Sequence, residues 1–309
     1  MESNQEKIVT EPCGVLVINK HEGATSHDIV NRVRRLYGTR RVGHTGTLDP
    51  LATGVLVVLV GRAAKAAEYL VSDSKRYTAL MRLGLTTDSE DITGTVLTRE
   101  EQLPSAETVM HACETFRGDI MQVPPMYSAL KVGGQKLVDL ARRGEVVERA
   151  ARPVTIHEIT CTPTDVPSDY ILDVRCSSGT YIRTLCADIG KTLGCGAVMA
   201  GLKRTETGGF CIEESHTAEE VDNMTEAQRE ALLAPVESLF ACLPAVKLEA
   251  FYERLSRSGC EIYQKKIKSD LPVGTRVRMC DHRGNFYALG EVREYEEGTA
   301  IKAIKLFEL

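Results

Sequence analysis

Runs of apolar residues along the chain predict several β-strands. The segment GVLVIN at 14–19 is a continuous apolar run, which is typical of a buried strand. The β-branched run VLVVLVG at 55–61 ends at glycine and suits a central strand. From Lys75 the segment KRYTALMRLGLTT alternates with a period of two. The same criteria predict two further strands at 153–161 and 170–176.

Apolar residues with helical spacing appear between and after these strands. Ile29, Val33 and Leu36 fall on one face of a helix predicted over 27–37, and Ser26 is its predicted N-cap. The remaining helices are predicted over 63–71, 180–193 and 249–259, the second of them ending at Gly194.

Changes in composition predict two domains. The strands and helices predicted up to residue 194 belong to a larger domain, 1–243. The remaining segment, 244–309, contains the helix predicted over 249–259 and otherwise has mostly β character, with DHRGN and EEGT as hairpin turns. Between about 119 and 152 the pattern loosens into a segment rich in proline, glycine and basic residues. We interpret this segment as an insertion with a surface role.

Charge is distributed unevenly, which matters for the choice of partner. The 309-residue chain is 43% hydrophobic and carries a formal charge of −5, which argues against a nucleic-acid partner. However, 205–240 holds nine acidic residues and only Arg229 as a base, a charge of 1 − 9 = −8. The rest of the chain therefore carries −5 + 8 = +3, and a basic face remains possible.

Cysteine usage and the longest apolar run predict a cytoplasmic protein with no membrane span. The ten cysteines include no C-x-x-C pair, so the spacing of a zinc site is absent and free thiols in a reducing cytosol are expected. The N-terminus is polar, unlike a signal peptide. The longest apolar run, at 55–60, is far shorter than the roughly 18 residues that a membrane span needs.

Asp49 is a candidate catalytic residue because it is a single carboxylate in a glycine-rich loop. It lies in the loop GHTGTLDPLATG, which lacks the G-K-[ST] of a P-loop and the G-x-G-x-x-G of a dinucleotide fold. Asp-Pro is a common turn initiator, so a structural turn is one reading and a catalytic carboxylate is the other. The local sequence leaves both open.

Six segments in a fixed order resemble one known family. They are GVLVINKHEGATSHDIVNRVRR, RRVGHTGTLDPLATGVLVVLVGRAAK, KRYTALMRLGLTTDSEDITG, QVPPMYSALKVGGQKLVDLARRG, CSSGTYIRTLCADIG and GLKRTETGGF. Together they closely resemble the bacterial tRNA pseudouridine-55 synthases, the TruB family. The resemblance extends from about Gly14 to the C-terminus and is strongest around Asp49.

The resemblance implies a fold, a reaction and a partner. It implies an α+β pseudouridine synthase domain with a large mixed, mainly antiparallel sheet flanked by helices, followed by a small PUA-like β-barrel that binds RNA. The implied reaction isomerises uridine 55 in the T-loop of tRNA to pseudouridine after the base is flipped out. No cofactor or metal ion is expected, nor a protein partner, and the protein is expected to be a monomer that binds the T-arm.

The resemblance also assigns roles to individual residues. Asp49 matches the essential nucleophile, Arg183 matches the arginine that holds this carboxylate, and Tyr77 matches the tyrosine that stacks on the flipped base. The other implied substrate contacts are His44, Tyr181, Leu202, Lys20 and Lys65, and the basic insertion, with Lys131, Arg142 and Arg143, is expected to grip the T-arm. Lys20 is followed by His21 where the family usually has proline, which leaves Lys20 as a contact within the pocket.

Two alternatives remain at this level. One is a guide-RNA-dependent pseudouridine synthase, which shares the aspartate motif but relies on protein partners and often carries a lysine-rich tail. The other is a non-catalytic RNA-binding or tRNA-folding module. The insertion argues against the first, and the presence of Asp49, Tyr77 and Arg183 argues against the second.

Overall fold

The computed structural model of the protein describes residues 11–70 and 74–307. Its strands are β1 (Gly14–Lys20), β2 (Val42–His44), β3 (Ala52–Val60), β4 (Lys75–Leu83), β5 (Leu85–Thr87), β6 (Val96–Arg99), β7 (Gly118–Gln122), β8 (Lys131–Val132), β9 (Gln135–Lys136), β10 (Arg152–Pro163), β11 (Asp169–Cys176), β12 (Ala197–Thr207), β13 (Phe210–Cys211), β14 (His216–Thr217), β15 (Ala245–Lys247), β16 (Ile262–Tyr263), β17 (Arg276–Cys280), β18 (Phe286–Tyr295) and β19 (Gly298–Leu306).

The helices lie between these strands. The α-helices are α1 (Ser26–Leu36), α2 (Ala106–Glu114), α3 (Leu137–Arg142), α4 (Ile182–Leu193), α5 (Ala218–Asp222), α6 (Glu226–Ala231), α7 (Ala250–Arg257) and α8 (Gln264–Ile267). Short 3₁₀-helices cover Gly61–Tyr69, Ile212–Glu214 and Val236–Phe240. None of the helices in the described part of the chain is long and apolar enough to span a membrane.

The central sheet runs in the order β14-β1-β3-β12-β4-β11-β10-β7, with β2 paired to β3 and β13 paired to β12. Only the β1–β14 and β3–β12 pairs are parallel, so the sheet is mixed and mainly antiparallel, which confirms the predicted α+β class. Strand β3 is buried along almost its whole length, as its β-branched run predicts for an interior strand. The loop that leads into β3 is therefore mounted on the most rigid part of the fold.

Three of the four predicted helices, α1, α4 and α7, are confirmed, while the N-cap of α1 and the type of the fourth helix need correction. Helix α4 ends at Gly194, which adopts a left-handed conformation, and α7 lies within the predicted segment. The N-cap of α1 is Thr25, which forms a capping box with Asp28, so the assignment to Ser26 is wrong. The helix predicted over 63–71 is a 3₁₀-helix at Gly61–Tyr69, and its predicted end at Val71 lies outside the described residues.

The basic insertion is shorter than the predicted 119–152. Its first residues belong to β7, the edge strand of the central sheet, which pairs with β10 in an antiparallel arrangement. Only 123–151 leaves the sheet, and it contains the β8–β9 hairpin and helix α3. Strand β7 was missed because an edge strand next to proline-rich loop sequence gives a weak apolar pattern.

The C-terminal strands form a second, curled sheet in the order β15-β17-β18-β19-β16. The predicted hairpin turns join β17 to β18 and β18 to β19, which confirms them. This sheet has its own apolar core and also packs against the central sheet through a cluster of Phe240, Phe286 and Phe307. The division at Leu243 stays a prediction, because this shared cluster joins the two sheets.

Candidate active site

Asp49 lies in the loop 45–51, between β2 and β3, and the surrounding backbone fixes its position. The Asp49 carbonyl accepts a hydrogen bond from Ala52 N at 3.0 Å. Leu48, the residue before it, donates from its backbone nitrogen to Ser26 Oγ at 2.8 Å, and Ser26 Oγ donates back to the Leu48 carbonyl at 3.1 Å. The side chain expected to cap α1 thus anchors the loop that carries Asp49 instead.

A buried arginine holds the other side of this loop. Arg204 is 1% exposed, and its guanidinium donates to the carbonyls of Val55 (2.8 Å), Gly46 (3.1 Å) and Thr47 (3.4 Å). Strands β3 and β12 approach so closely here that a Cβ at Gly54, which has φ +98°, would lie 2.2 Å from the Arg204 carbonyl oxygen. Glycine at this position lets the arginine enter the loop.

Lys20 lies beneath the loop and not in the pocket where it was expected. It is fully buried, and its Nζ donates to the carbonyls of Ala24 (2.8 Å), His21 (2.9 Å) and Pro50 (3.3 Å). Burial lowers the pKa of Lys20 to about 8, and the charge of Asp49 opposes this shift. The role of Lys20 in this geometry is to support the backbone next to Asp49.

Arg183, at the start of α4, links two carboxylates. Its Nη2 donates to Asp49 Oδ2, and its Nη1 lies 3.8 Å from Asp91 Oδ2. The side chains of Arg183 and Asp91 are 6% and 9% exposed, whereas that of Asp49 is 35% exposed. The bridge therefore has a buried end, which fixes the guanidinium, and an open end, where Asp49 is available to a substrate.

The loop that carries Asp91 is itself held to α4. Asp91 Oδ1 accepts hydrogen bonds from the Thr93 hydroxyl (2.6 Å), the Ser89 hydroxyl (2.9 Å) and the Thr93 backbone nitrogen (3.0 Å). Glu90 accepts a 2.5 Å hydrogen bond from Thr184 Oγ1. Burial raises the pKa of Glu90, although this hydrogen bond opposes the shift. Two adjacent acidic residues thus contact the first turn of α4.

A cavity of about 390 Å³ opens beside this ion-pair network. The predicted site residues that line it are Asp49, Tyr77, Tyr181, Arg183 and Leu202. Burial raises the pKa of the Tyr77 hydroxyl, so this phenol is neutral near neutral pH. The cavity combines one open carboxylate with two aromatic rings and an apolar wall, and a flat polar base fits such a surface.

A second cavity, of about 570 Å³, meets the first at Asp49 and Arg183. The insertion contributes Tyr127 to both cavities and Arg142 to the second one. Tyr127 also donates from its hydroxyl to Asp88 Oδ2 at 3.3 Å, which ties the insertion to the loop before Asp91. The insertion therefore forms part of the wall of both cavities.

The remaining predicted contacts do not line either cavity. Burial lowers the pKa of His44 at the end of β2, and its Nδ1 has no partner within the described residues. Lys65 is exposed on the 3₁₀-helix after β3. Lys131 and Arg143 are exposed on the insertion. The roles of these four residues therefore stay predictions.

Sequence reasoning missed two residues of the site. Asp91 was passed over because a carboxylate in the acidic stretch DSED resembles a solvated surface residue. Lys75 lines the cavity two residues before Tyr77, on the same face of β4. The alternation that marked Tyr77 as inward-facing applies equally to Lys75, so the signal for this residue was present.

The described residues contain no group of three or more histidine, cysteine, aspartate or glutamate side chains arranged to hold a metal ion. All ten cysteines are described and are free thiols, as expected.

Comparison with known proteins identifies the family. Residues 34–182 match the model of the TruB family pseudouridylate synthase (N terminal domain), and residues 183–241 match that of the tRNA pseudouridylate synthase B C-terminal domain. The chain is 41% identical to a tRNA pseudouridine synthase B of Neisseria meningitidis, over 95% of this chain and 94% of that protein. It is 40% identical to a tRNA pseudouridine synthase B of Francisella tularensis subsp. novicida, over 93% of both chains.

Solved structures agree with the sequence comparisons. A chain in the crystal structure of a Cbf5-Nop10-Gar1 complex superposes with a TM-score of 0.73 at 26% identity, covering 96% of this chain and 85% of that one. The fold, the family models and the full-length relatives converge on one assignment: the chain belongs to the TruB family of pseudouridylate synthases.

Proposed function

We propose that the protein converts uridine 55 in the T-loop of tRNA to pseudouridine, with Asp49 as the nucleophile. The observation that carries the proposal is the open carboxylate of Asp49, held by buried Arg183 in a cavity with Tyr77 and Tyr181. Relatives that are 40–41% identical over nearly the whole chain are named tRNA pseudouridine synthase B, which supports tRNA as the substrate.

The reaction is an isomerisation and needs a single carboxylate. Asp49 attacks the target nucleoside and forms a covalent adduct, and the N1–C1′ bond breaks. The base turns so that its C5 faces the ribose, a C5–C1′ bond forms, and C5 loses its proton while N1 gains one. Asp49 is released unchanged, no atom leaves the substrate, and no electron acceptor is required.

Arg183 holds the Asp49 carboxylate in position. A guanidinium stabilises a carboxylate through charge-assisted hydrogen bonds, and Asp91 fixes the far side of that guanidinium. Asp49 stays 35% exposed, so its free oxygen is accessible to the substrate. Because the supporting groups are buried and already bonded, little reorganisation is needed during the reaction.

The aromatic walls offset the cost of extracting the base from the RNA. Flipping a nucleotide costs a few kcal/mol, and stacking on an aromatic side chain is worth about 1–3 kcal/mol per base. Tyr77 stacks on the flipped uracil, while Tyr181 and Leu202 enclose it. His44 fills the space that the base leaves in the RNA.

Cations outside the cavity contact the rest of the T-arm. Lys65, Lys131 and Arg143 are exposed, and Arg142 lies at the wall of the larger cavity, so all four are accessible to RNA phosphates. The C-terminal sheet adds a further RNA-binding surface. In this proposal the protein acts as a monomer and needs no guide RNA or protein partner.

The test uses the purified protein and an unmodified tRNA transcript. Pseudouridine should appear at position 55 and nowhere else in the transcript, and a transcript with cytidine at that position should yield none. Absence of product from the unmodified tRNA would overturn the proposal. Product formed only after guide RNA and partner proteins are added would instead favour the guide-dependent alternative, to which the similarity with a Cbf5 complex points.

A further inference from the structure

Lys75 is a cation at the candidate active site that no role above uses. It is the first residue of β4 and lines the same cavity as Asp49, Tyr77 and Arg183. Its side chain is partly buried, and within the described residues its Nζ forms no hydrogen bond or ion pair. An ammonium group that is withdrawn from water and left without an anion is unfavourable, so its presence calls for an explanation.

The groups that face Lys75 do not neutralise it. Burial is the largest cause of a lowered Lys75 pKa, and the positive charge of Arg204 on β12 lowers it further. Cys176 on β11 faces it too, but burial raises the pKa of that thiol to about 11, so the thiol is neutral. The guanidinium of Arg204 is occupied by three backbone carbonyls, whereas the ammonium group of Lys75 is available to a ligand. The other lysine that lines this cavity is Lys136, on β9 of the insertion.

Space for a ligand exists beside this ammonium group. The Nζ of Lys75 and Nη1 of Arg204 each lie 3.6 Å from the point that a Cβ would occupy at Gly46. Because Gly46 has no side chain, the approach from the catalytic loop to Lys75 stays open. An anion that enters here meets the ammonium group of Lys75 and lies within the cavity that Asp49 lines.

We infer that Lys75 binds a phosphate flanking the target nucleotide and so positions its ribose against Asp49. The inference rests on the proposed function, because an RNA substrate that delivers a nucleoside to Asp49 brings a phosphate on each side of it. A compact ammonium group suits a single phosphate oxygen. Binding this phosphate supplies the missing anion and fixes the sugar whose bond is broken.

The effect should fall mainly on the chemical step. Overall tRNA affinity is spread over many phosphate contacts, so losing one changes it only a few-fold. Misplacing the ribose relative to Asp49 lowers the rate more strongly, by about ten- to a hundredfold. Lys75→Met should therefore reduce the saturating single-turnover rate constant and leave the dissociation constant within about threefold of wild type. Lys75→Arg keeps the charge and should recover most of the rate.

The decisive experiment neutralises the phosphate as well as the lysine. Full-length tRNAs are ligated from synthetic fragments that carry a neutral methylphosphonate either 5′ or 3′ of the target uridine. At one of these positions the modification should slow wild type about tenfold or more, yet slow Lys75→Met less than about twofold. Lys191→Met, which removes an exposed lysine at the far end of α4, should respond as wild type does.

Each outcome decides the inference. Equal slowing of wild type and Lys75→Met at both positions would mean that Lys75 contacts something else, such as a uracil oxygen, and would overturn it. A single-turnover rate of Lys75→Met within about twofold of the wild-type rate on unmodified RNA would also overturn the inference. If wild type forms no pseudouridine at all, the proposed function fails and the inference fails with it. Equal melting temperatures of the variants exclude a folding defect as the cause of a slow rate.

Discussion

The loop that carries Asp49 and the insertion 123–151 meet at the same cavity but are built in opposite ways. The loop precedes a buried strand and is bonded to Ser26, Lys20 and Arg204, which are all almost fully buried. The strands β8 and β9 of the insertion are exposed, and α3 has only six residues. One side of the site is held rigidly, whereas the other is a lightly supported surface segment.

The difference matches the two tasks that the proposed reaction sets. Covalent chemistry needs a nucleophile placed to within about half an ångström, which requires fixed neighbours. Recognition of an RNA loop needs charges that adapt to splayed bases and phosphates. Substitutions around Asp49 should therefore change the rate of the chemical step, and substitutions in the insertion should change binding. The predictions below test that division, beginning with the largest effect.

Asp49→Asn should lower the single-turnover rate at least about a thousandfold, because the amide is a poor nucleophile, and should leave tRNA binding nearly unchanged. The matched control is Asp165→Asn, an exposed aspartate in the β10–β11 turn, which should retain full activity. Pseudouridine formation and the tRNA dissociation constant are measured on the same preparations. Substantial product from Asp49→Asn would mean that Asp49 is a structural turn residue and not the nucleophile.

Arg183→Lys should lower the rate about a hundredfold, because lysine keeps the charge but cannot bridge Asp49 and Asp91 with a planar group. The dissociation constant for tRNA should stay within a few-fold of wild type. Asp91→Asn is the companion variant and should give a smaller loss, since Arg183 then loses one of its two partners. Near-normal turnover by Arg183→Lys would contradict the pairing.

The contribution of Lys20 to the free energy of unfolding should depend on pH. The pKa of Lys20 is about 8 in the folded protein, whereas its ordinary value of 10.5 applies to the unfolded chain, so the unfolded chain binds more protons between these pH values. Stability from this group therefore rises with pH. The unfolding free energy of wild type should gain about 2 kcal/mol over that of Lys20→Met between about pH 7 and pH 9.5.

Chemical denaturation at several pH values measures this difference. Lys203→Met, which removes an exposed lysine on β12, is the control and should show a flat difference from wild type over the same range. A flat difference for Lys20→Met as well would mean that burial does not lower the pKa of Lys20 in the folded protein.

Replacing Lys131, Arg142 and Arg143 by glutamine should weaken tRNA binding about tenfold at moderate salt. The slope of the logarithm of affinity against the logarithm of salt concentration should become shallower by about two if each residue neutralises one phosphate. The saturating rate constant should change much less than it does in Arg183→Lys. An unchanged slope would mean that these three residues of the insertion do not contact RNA phosphates.

The parts of the fold that follow from local pattern were predictable from the sequence. Helix α4 and its end at Gly194, the buried strand β3 and the C-terminal hairpins all follow from periodicity and turn residues. Strand β7 did not, because only one side of an edge strand is paired. Ser26 was assigned to the wrong role because a hydroxyl at a helix start caps the helix in most contexts, and here Thr25 takes that position.

The site depended on contacts between distant segments, which no local pattern contains. The resemblance to a family brought Asp49, Tyr77, Tyr181, Arg183 and Leu202 together in advance, and the structure places them around one cavity. The resemblance did not identify Asp91 as a site residue. Asp91 is buried because α4 approaches the loop after β5, and this contact is not visible in the local sequence. Lys20 was misplaced because its three carbonyl partners become neighbours only when the loop folds over it.

The division between chemistry and binding is tested most directly by single-turnover titrations with unmodified tRNA. Wild type, Arg183→Lys and the triple insertion variant are compared at rising protein concentration. The account predicts that Arg183→Lys lowers the saturating rate constant about a hundredfold at an almost unchanged half-saturating concentration. The insertion variant should raise the half-saturating concentration and leave the rate constant nearly intact. If both variants changed the same parameter, the two sides of the cavity would not have separate tasks, and the account would be contradicted.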